Sequence, residues 1–294
     1  MSAGMSADTV QVGGVTRRRL IARPGAWLVW GIVIFFFVNL FALVASVVVD
    51  SFSYQWFGTW WPSHFRTDYY KQAWDEFDVG QLLIVTIEVS LAVVLISVLV
   101  GVPAAYALAR RNFPGRRLVT LLFLLPILVP PIAYGIPLAT VLYKYHLAGS
   151  IYGVILANLV PSVPFVVLTM TPFIEQIDPK IEAAARMCGA RTRTIFTRIL
   201  FPLLVPGILA ASILVLVRTV AMFELTFLTA GNDSQTMIVA LFYSVSAAGI
   251  RAQQEIDAMA VMYTAMMMVL LVIALRFVNP TQLVTRVAEK RDAE

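Results

Sequence analysis

The sequence predicts an all-α, polytopic membrane protein with six transmembrane helices, and three observations carry that prediction. The chain of 294 residues is 60% hydrophobic and only 13% charged. Its apolar residues gather in runs of about twenty or more, long enough at about 1.5 Å per residue to cross a ~30 Å hydrocarbon core. Its lysines and arginines fall between those runs or at their ends, with Arg218 alone deep inside one. A soluble domain does not have this composition in this pattern.

Taken in order, residues 1–25 read as a cytoplasmic N-terminal tail with Arg17, Arg18, Arg19 and Arg23. The first span is expected over 26–49. Its apolar run is too long for the core of a secretory signal and ends without a small-residue cleavage site, so it is expected to be retained. An extracytoplasmic connection, 50–82, follows and is rich in aromatic rings, among them Tyr54, Trp56, Trp60, Trp61, Tyr69, Tyr70 and Trp74. Rings of this kind suit the headgroup level. The acidic excess of Asp50, Asp68, Asp75, Glu76 and Asp78 over Arg66 and Lys71 would also suit the steering of an extracellular protein partner.

Five further spans are expected over 83–108, 118–142, 151–173, 203–228 and 256–278, together forming a core over 83–278. Residues 279–294 read as a cytoplasmic C-terminal tail. Seventeen of the 22 Lys and Arg fall on the side that holds both termini, against Arg66, Lys71, Lys144 and Arg251 on the other. By the positive-inside rule both termini are cytoplasmic, so the net charge of +5 reflects topology and a lipid-facing rim rather than nucleic-acid binding. Cys188 is the single cysteine, which rules out a disulfide or a thiolate metal cluster within one chain.

The inner spans carry residues that a lipid-facing helix does not need. Pro126, Pro130, Pro131, Gly135 and Pro137 lie in the third, Asn158, Pro161 and Pro164 in the fourth, and Pro206 with Gly207 opens the fifth. Each proline frees a carbonyl that needs a neighbouring helix or a wet cavity, which suggests kinked helices around a path. Ionisable residues inside a membrane are costly unless paired or hydrated. Glu88, Arg218 and Glu224 are therefore candidates, with Asn158, for lining that path. Arg218 and Glu88 are a possible structural pair. Met222 and the cluster Met259, Met262, Met266, Met267 and Met268 read as packing.

Between the fourth and fifth spans, over 174–202, lies Ile181-Glu-Ala-Ala-Ala-Arg-Met-Cys-Gly-Ala190, followed by Ile199-Leu-Phe-Pro202. Residues 182–186 favour a helix, Gly189 suits a left-handed turn that ends it, and Thr192 to Leu200 is expected to form a second short helix before Pro202. Two short helices at an angle make a rigid knob.

This stretch resembles the cytoplasmic coupling loop, the EAA loop, of permeases from binding-protein-dependent ABC importers with the MetI-like fold. Gly101-Val-Pro-Ala-Ala-Tyr-Ala-Leu-Ala-Arg110 with Phe113-Pro-Gly-Arg-Arg117 is similar to the second-span exit of such permeases. Pro161-Ser-Val-Pro-Phe165 and Phe223-Glu-Leu-Thr-Phe-Leu-Thr229 also fit. The resemblance implies that Glu182, Ala183, Ala184, Gly189, Ala190, Ile199 and Pro202 form the ATPase-coupling site. It further implies two ATPase subunits that hold ATP and Mg, a second permease subunit forming a heterodimer or homodimer, and an extracytoplasmic solute-binding protein.

One departure stands out. The family pattern places Glu six residues before the glycine, where this chain has Ala183; Glu182 lies seven before it. Either Glu182 is the second acidic residue often seen upstream, or it takes over the contact through a local helical adjustment. The solute is expected to be small and polar: a carbohydrate or polyol, or a solute of the polyamine or organophosphorus type.

The chain has no Gly-x-x-x-x-Gly-Lys-Ser/Thr loop, so ATP would be handled by another subunit and no cofactor is expected here. It also has no His-Glu-x-x-His or Gly-x-Ser-x-Gly, and its histidines, His64 and His146, are far apart, which argues against an enzyme. An ion-coupled secondary transporter or channel is the alternative class, since kinked helices with a few buried charges serve that task too.

Overall fold

The structure, a computed structural model, describes residues 24–54, 56, 60–62, 64–246 and 252–277. The tails bearing Arg17, Arg18, Arg19, Arg23, Arg286, Lys290 and Arg291, and the connection holding Arg251, lie outside the described residues. Among the described residues the chain is helical, apart from one isolated antiparallel bridge between Ser53 and Phe65.

Residues 1–46 and 47–294 make two compact units. The first holds most of α1 (Pro24–Ser51), which is apolar on every side: Trp27, Phe35 and Phe41 are all exposed. A helix without a polar face is suited to lipid. In the second unit, α2 (Asp68–Glu76) is held to the last turn of α1 by a hydrogen bond between Ser51 Oγ and Tyr70 Oη, 2.7 Å apart. Burial pushes the Tyr70 phenol above its ordinary pKa, against the opposing effect of that hydrogen bond.

Helix α3 (Val79–Arg110) runs unbroken for 32 residues and passes through Pro103. The third expected span is not one helix. It is a pair, α4 (Arg116–Leu128) and α5 (Pro131–Lys144), bent by 99°. Proline disfavours the helical conformation in the residue before it, and here Val129 and Pro130 both turn extended, with ψ of 133° and 134°. Among the described residues five helices are individually long and apolar enough to cross a membrane, and six if the bent pair counts as one span.

Helix α6 (Ile151–Glu175) begins at Ser150, whose Oγ accepts from the Gly153 amide at 3.3 Å. After α7 (Pro179–Met187), the chain forms α8 (Thr192–Ile195), a π-helical segment (Phe196–Leu200) and α9 (Phe201–Val220) without interruption. The expected stop before Pro202 does not occur. A proline ring clashes with the carbonyl four residues back. The π turn widens the helix there, and the Phe201 amide donates to the carbonyl of Phe196 instead.

The fifth span ends at Val220, short of the expected 228, and Glu224 opens a separate short helix, α10 (Glu224–Thr229). An apolar helix, α11 (Met237–Ser246), occupies part of the connection before α12 (Gln253–Phe277). The main core lies where α3, α6 and α9 meet around Val93, Val166, Met170, Leu204 and Val215, with Ile195 and Leu200 joining from the coupling segment. Contact is close enough that a Cβ on Gly101 would fall 2.7 Å from Val166 Cγ1. Met259 and Met266 are buried with Val79, Leu82 and Met237, as packing residues; Met268 is 60% exposed.

Candidate coupling site and transport path

Helix α7 starts from Asp178, whose carboxylate accepts from the Lys180 amide at 2.9 Å while Pro179 occupies the first turn. It ends at Gly189, which adopts φ of +80°. The Gly189 amide donates to the Arg186 carbonyl at 2.9 Å and the Ala190 amide to that of Ala185 at 3.0 Å, which closes the helix end. Ala183, Ala184, Cys188 and Gly189 are exposed, and Met187 is 85% exposed. Ala190 and Ile199 are half-buried and Pro202 is exposed. The outer face of α7 is thus small and uncharged at its centre, which permits close approach of another surface.

Glu182 points the other way, toward the membrane helices. Its side chain is 4% exposed and receives three donors: Tyr106 Oη at 2.8 Å, Arg110 Nε at 2.8 Å and Arg186 at 3.3 Å. Arg110 also donates from its second arm to the Ile177 carbonyl at 2.6 Å. One guanidinium at the end of α3 therefore grips both α7 and the connector that leads into it. Removing one partner of such a buried pair costs about 3–5 kcal/mol, because the other charge is left without compensation. Arg186, on the exposed side, adds little. Tyr106 and Arg110 are four apart, one helical turn, and both lie in the motif noted above; their joint use by Glu182 has no signature in sequence.

The four candidate path residues are not gathered at one point. Asn158 is buried and donates from Nδ2 to the Val154 carbonyl at 2.9 Å and to Thr226 Oγ1 at 3.2 Å, tying α6 to α10. Arg218 is half-buried, with its guanidinium 5.6 Å from the centre of the Phe165 ring. Glu224 is half-buried on α10 and Glu88 is exposed on α3. Among the described residues no salt bridge joins Arg218 to Glu88 or to Glu224, so the possible Arg218–Glu88 pair is not formed. A cavity of about 500 Å³ lies elsewhere, between the first turn of α3, the 232–235 segment and α11. Asp78, Gln81, Asn232, Asp233, Gln235 and Tyr243 line it. Apart from Asp78, its polar lining belongs to no motif in the sequence.

Residues 78–280 match the family model described as "Binding-protein-dependent transport system inner membrane component". The chain belongs to this family. Members similar to it include a probable sulfate transport system permease from Chlorokybus atmophyticus, 33% identical over 51% of this chain and 56% of that one. The trehalose transport system permease SugB of Mycobacterium tuberculosis is 31% identical over 65% of each chain. The chain thus spans between half and two thirds of the length of these relatives. Among solved structures, a bacterial ABC transporter involved in the import of alginate superposes with a TM-score of 0.64. It covers 89% of this chain and 96% of its own at 17% identity, which establishes the MetI-like permease fold. The family match lies within the second compact unit and contains the coupling segment and every residue lining the cavity except Phe77.

Proposed function

We propose that this chain is a permease subunit of an ABC importer, forming part of the translocation path for a small polar solute delivered by an extracytoplasmic binding protein. The observation that carries this reading is α7: a short helix exposed on its outer face, closed by a left-handed Gly189 and anchored from behind by Glu182. In this reading the exposed face, Ala183, Ala184, Met187, Cys188 and Gly189, seats in a cleft of a separate ATPase that holds ATP and Mg. A second permease subunit completes the path.

Both termini then face the cytoplasm. Glu88, Arg218, Glu224 and Asn158 belong to the wall of the path, with Arg218 presented to the solute beside Phe165. The solutes in the relatives' names, sulfate and trehalose, differ in charge and size. They support the reading only as far as a polar solute; the polyamine, polyol and organophosphorus types remain within it. The importer works by population switching: ATP closes the nucleotide-binding dimer, and the knob converts that closure into rocking of the helices.

Cys188 tests this directly, since it is exposed beside Gly189. In inside-out vesicles, an impermeant maleimide should label Cys188 slowly in the assembled complex and faster once peripheral subunits are stripped. Equal labelling before and after stripping would argue against an ATPase seated on α7.

A further inference from the structure

We propose that Arg110, Glu182 and Tyr106 form a fixed joint that makes α3 the lever through which α7 moves the extracytoplasmic mouth of the protein. This rests on the importer reading of α7 and adds the route that the motion takes.

The joint is buried and doubly braced. Glu182 on α7 is held by Tyr106 and Arg110, both on the last turns of α3, each at 2.8 Å. The second arm of Arg110 holds the Ile177 carbonyl at 2.6 Å, so α7 and its connector cannot move apart at this point without stranding a charge. The Tyr106 ring also packs edge-on against Phe196, 5.7 Å between centres, in the π segment ahead of α9. Displacement of α7 is therefore passed to α3 through a fixed geometry.

Helix α3 then carries it across the protein. Its 32 unbroken residues span about 48 Å at 1.5 Å per residue. At its other end, Thr86 Oγ1 accepts from the Met237 amide at 2.9 Å, which satisfies a donor at the start of α11. One turn earlier, Gln81 and Leu82 line the 500 Å³ cavity, with Asp78 just ahead of the helix. The opposite wall is α11 and the 232–235 segment. A tilt of α3 driven from Arg110 changes the width of this mouth.

The experiment uses the full chain with its native partners in right-side-out vesicles, loaded either with ATP and vanadate or with neither. A Gln81→Cys reporter is modified from outside by an impermeant maleimide, which does not reach Cys188 on the cytoplasmic side. With the joint intact, loading should change the labelling rate about tenfold. Glu182→Gln should reduce that response to near unity, read in the fraction of chains that co-purify with the ATPase. Tyr106→Phe keeps the ring and removes one donor, so it folds with less disturbance and should give an intermediate response. A merely structural role would lower the amount of chain without altering the response of the molecules present. A full response in both variants would overturn the proposal. Recovery of the ATPase with no response in the parent reporter would overturn the joint alone; failure to recover any ATPase would overturn the importer reading and the joint with it.

Discussion

Gly189 adopts φ of +80°, and a Cβ built on it meets nothing within 4 Å. The requirement for glycine is therefore conformational and not steric, with a cost of about 1–2 kcal/mol for an ordinary residue in the left-handed region. Asn tolerates that region and a β-branched residue does not. Gly189→Asn should keep ATPase association, while Gly189→Val should reduce it about tenfold, read as ATPase recovered per chain. Equal recovery for the two would show that the left-handed turn is not what the site requires. Gly231 is the opposite case. Its Cβ would lie 2.5 Å from the Gly149 carbonyl oxygen, a backbone atom that cannot swing aside. Gly231→Ala should therefore destabilise the protein by about 1–3 kcal/mol, seen as a lower thermal unfolding midpoint in detergent. Glu182 shows why residue roles were only partly legible. A shift of one residue rotates a side chain by about 100° around a helix, so seven rather than six before Gly189 means a different face. Which face meets the membrane helices depends on where Tyr106 and Arg110 arrive from α3, more than seventy residues earlier in the chain.

At the scale of elements, hydropathy located the apolar stretches but not their breaks. The bend of 99° between α4 and α5 has a cue in Pro130 and Pro131, yet Pro103 and Pro164 lie inside unbroken helices. Proline lacks a backbone donor in every case; tertiary packing decides whether the helix continues. Likewise Pro202 suggested a stop, and the chain accommodated it with a π turn instead. Pro202→Ala allows that segment to return to regular α geometry, which rotates α8 relative to α9. The expected outcome is a higher unfolding midpoint, since proline is about 3 kcal/mol less favourable than alanine inside a helix, together with weaker ATPase association. A variant both more stable and equally well associated would show that the π turn plays no part in presenting the coupling segment.

For the whole molecule, the apolar runs and the glycine- and alanine-rich coupling motif made the fold class and the family legible from sequence. The cavity beside the start of α3 was not, because it is assembled from Asp78, the 232–235 segment and α11, which share no periodic signal. The family match begins at residue 78, after the first compact unit ends. A chain lacking residues 1–46 should therefore still insert and still recover the same partners, measured by co-purification at yields within about twofold of the parent. Loss of all partners on that truncation would place α1 inside the assembly's essential core.

In the proposed reading α7 couples this chain to a separate ATPase. A mild-detergent pull-down of the tagged chain from its native membrane, with the co-purifying proteins identified by mass spectrometry, tests it most directly. The expected result is recovery of a phosphate-loop ATPase together with a second permease or a second copy of this chain, and of an exported binding protein whose ligand names the solute. Reproducible recovery of the chain alone in a transport-competent state, with uptake abolished by an ionophore, would contradict it.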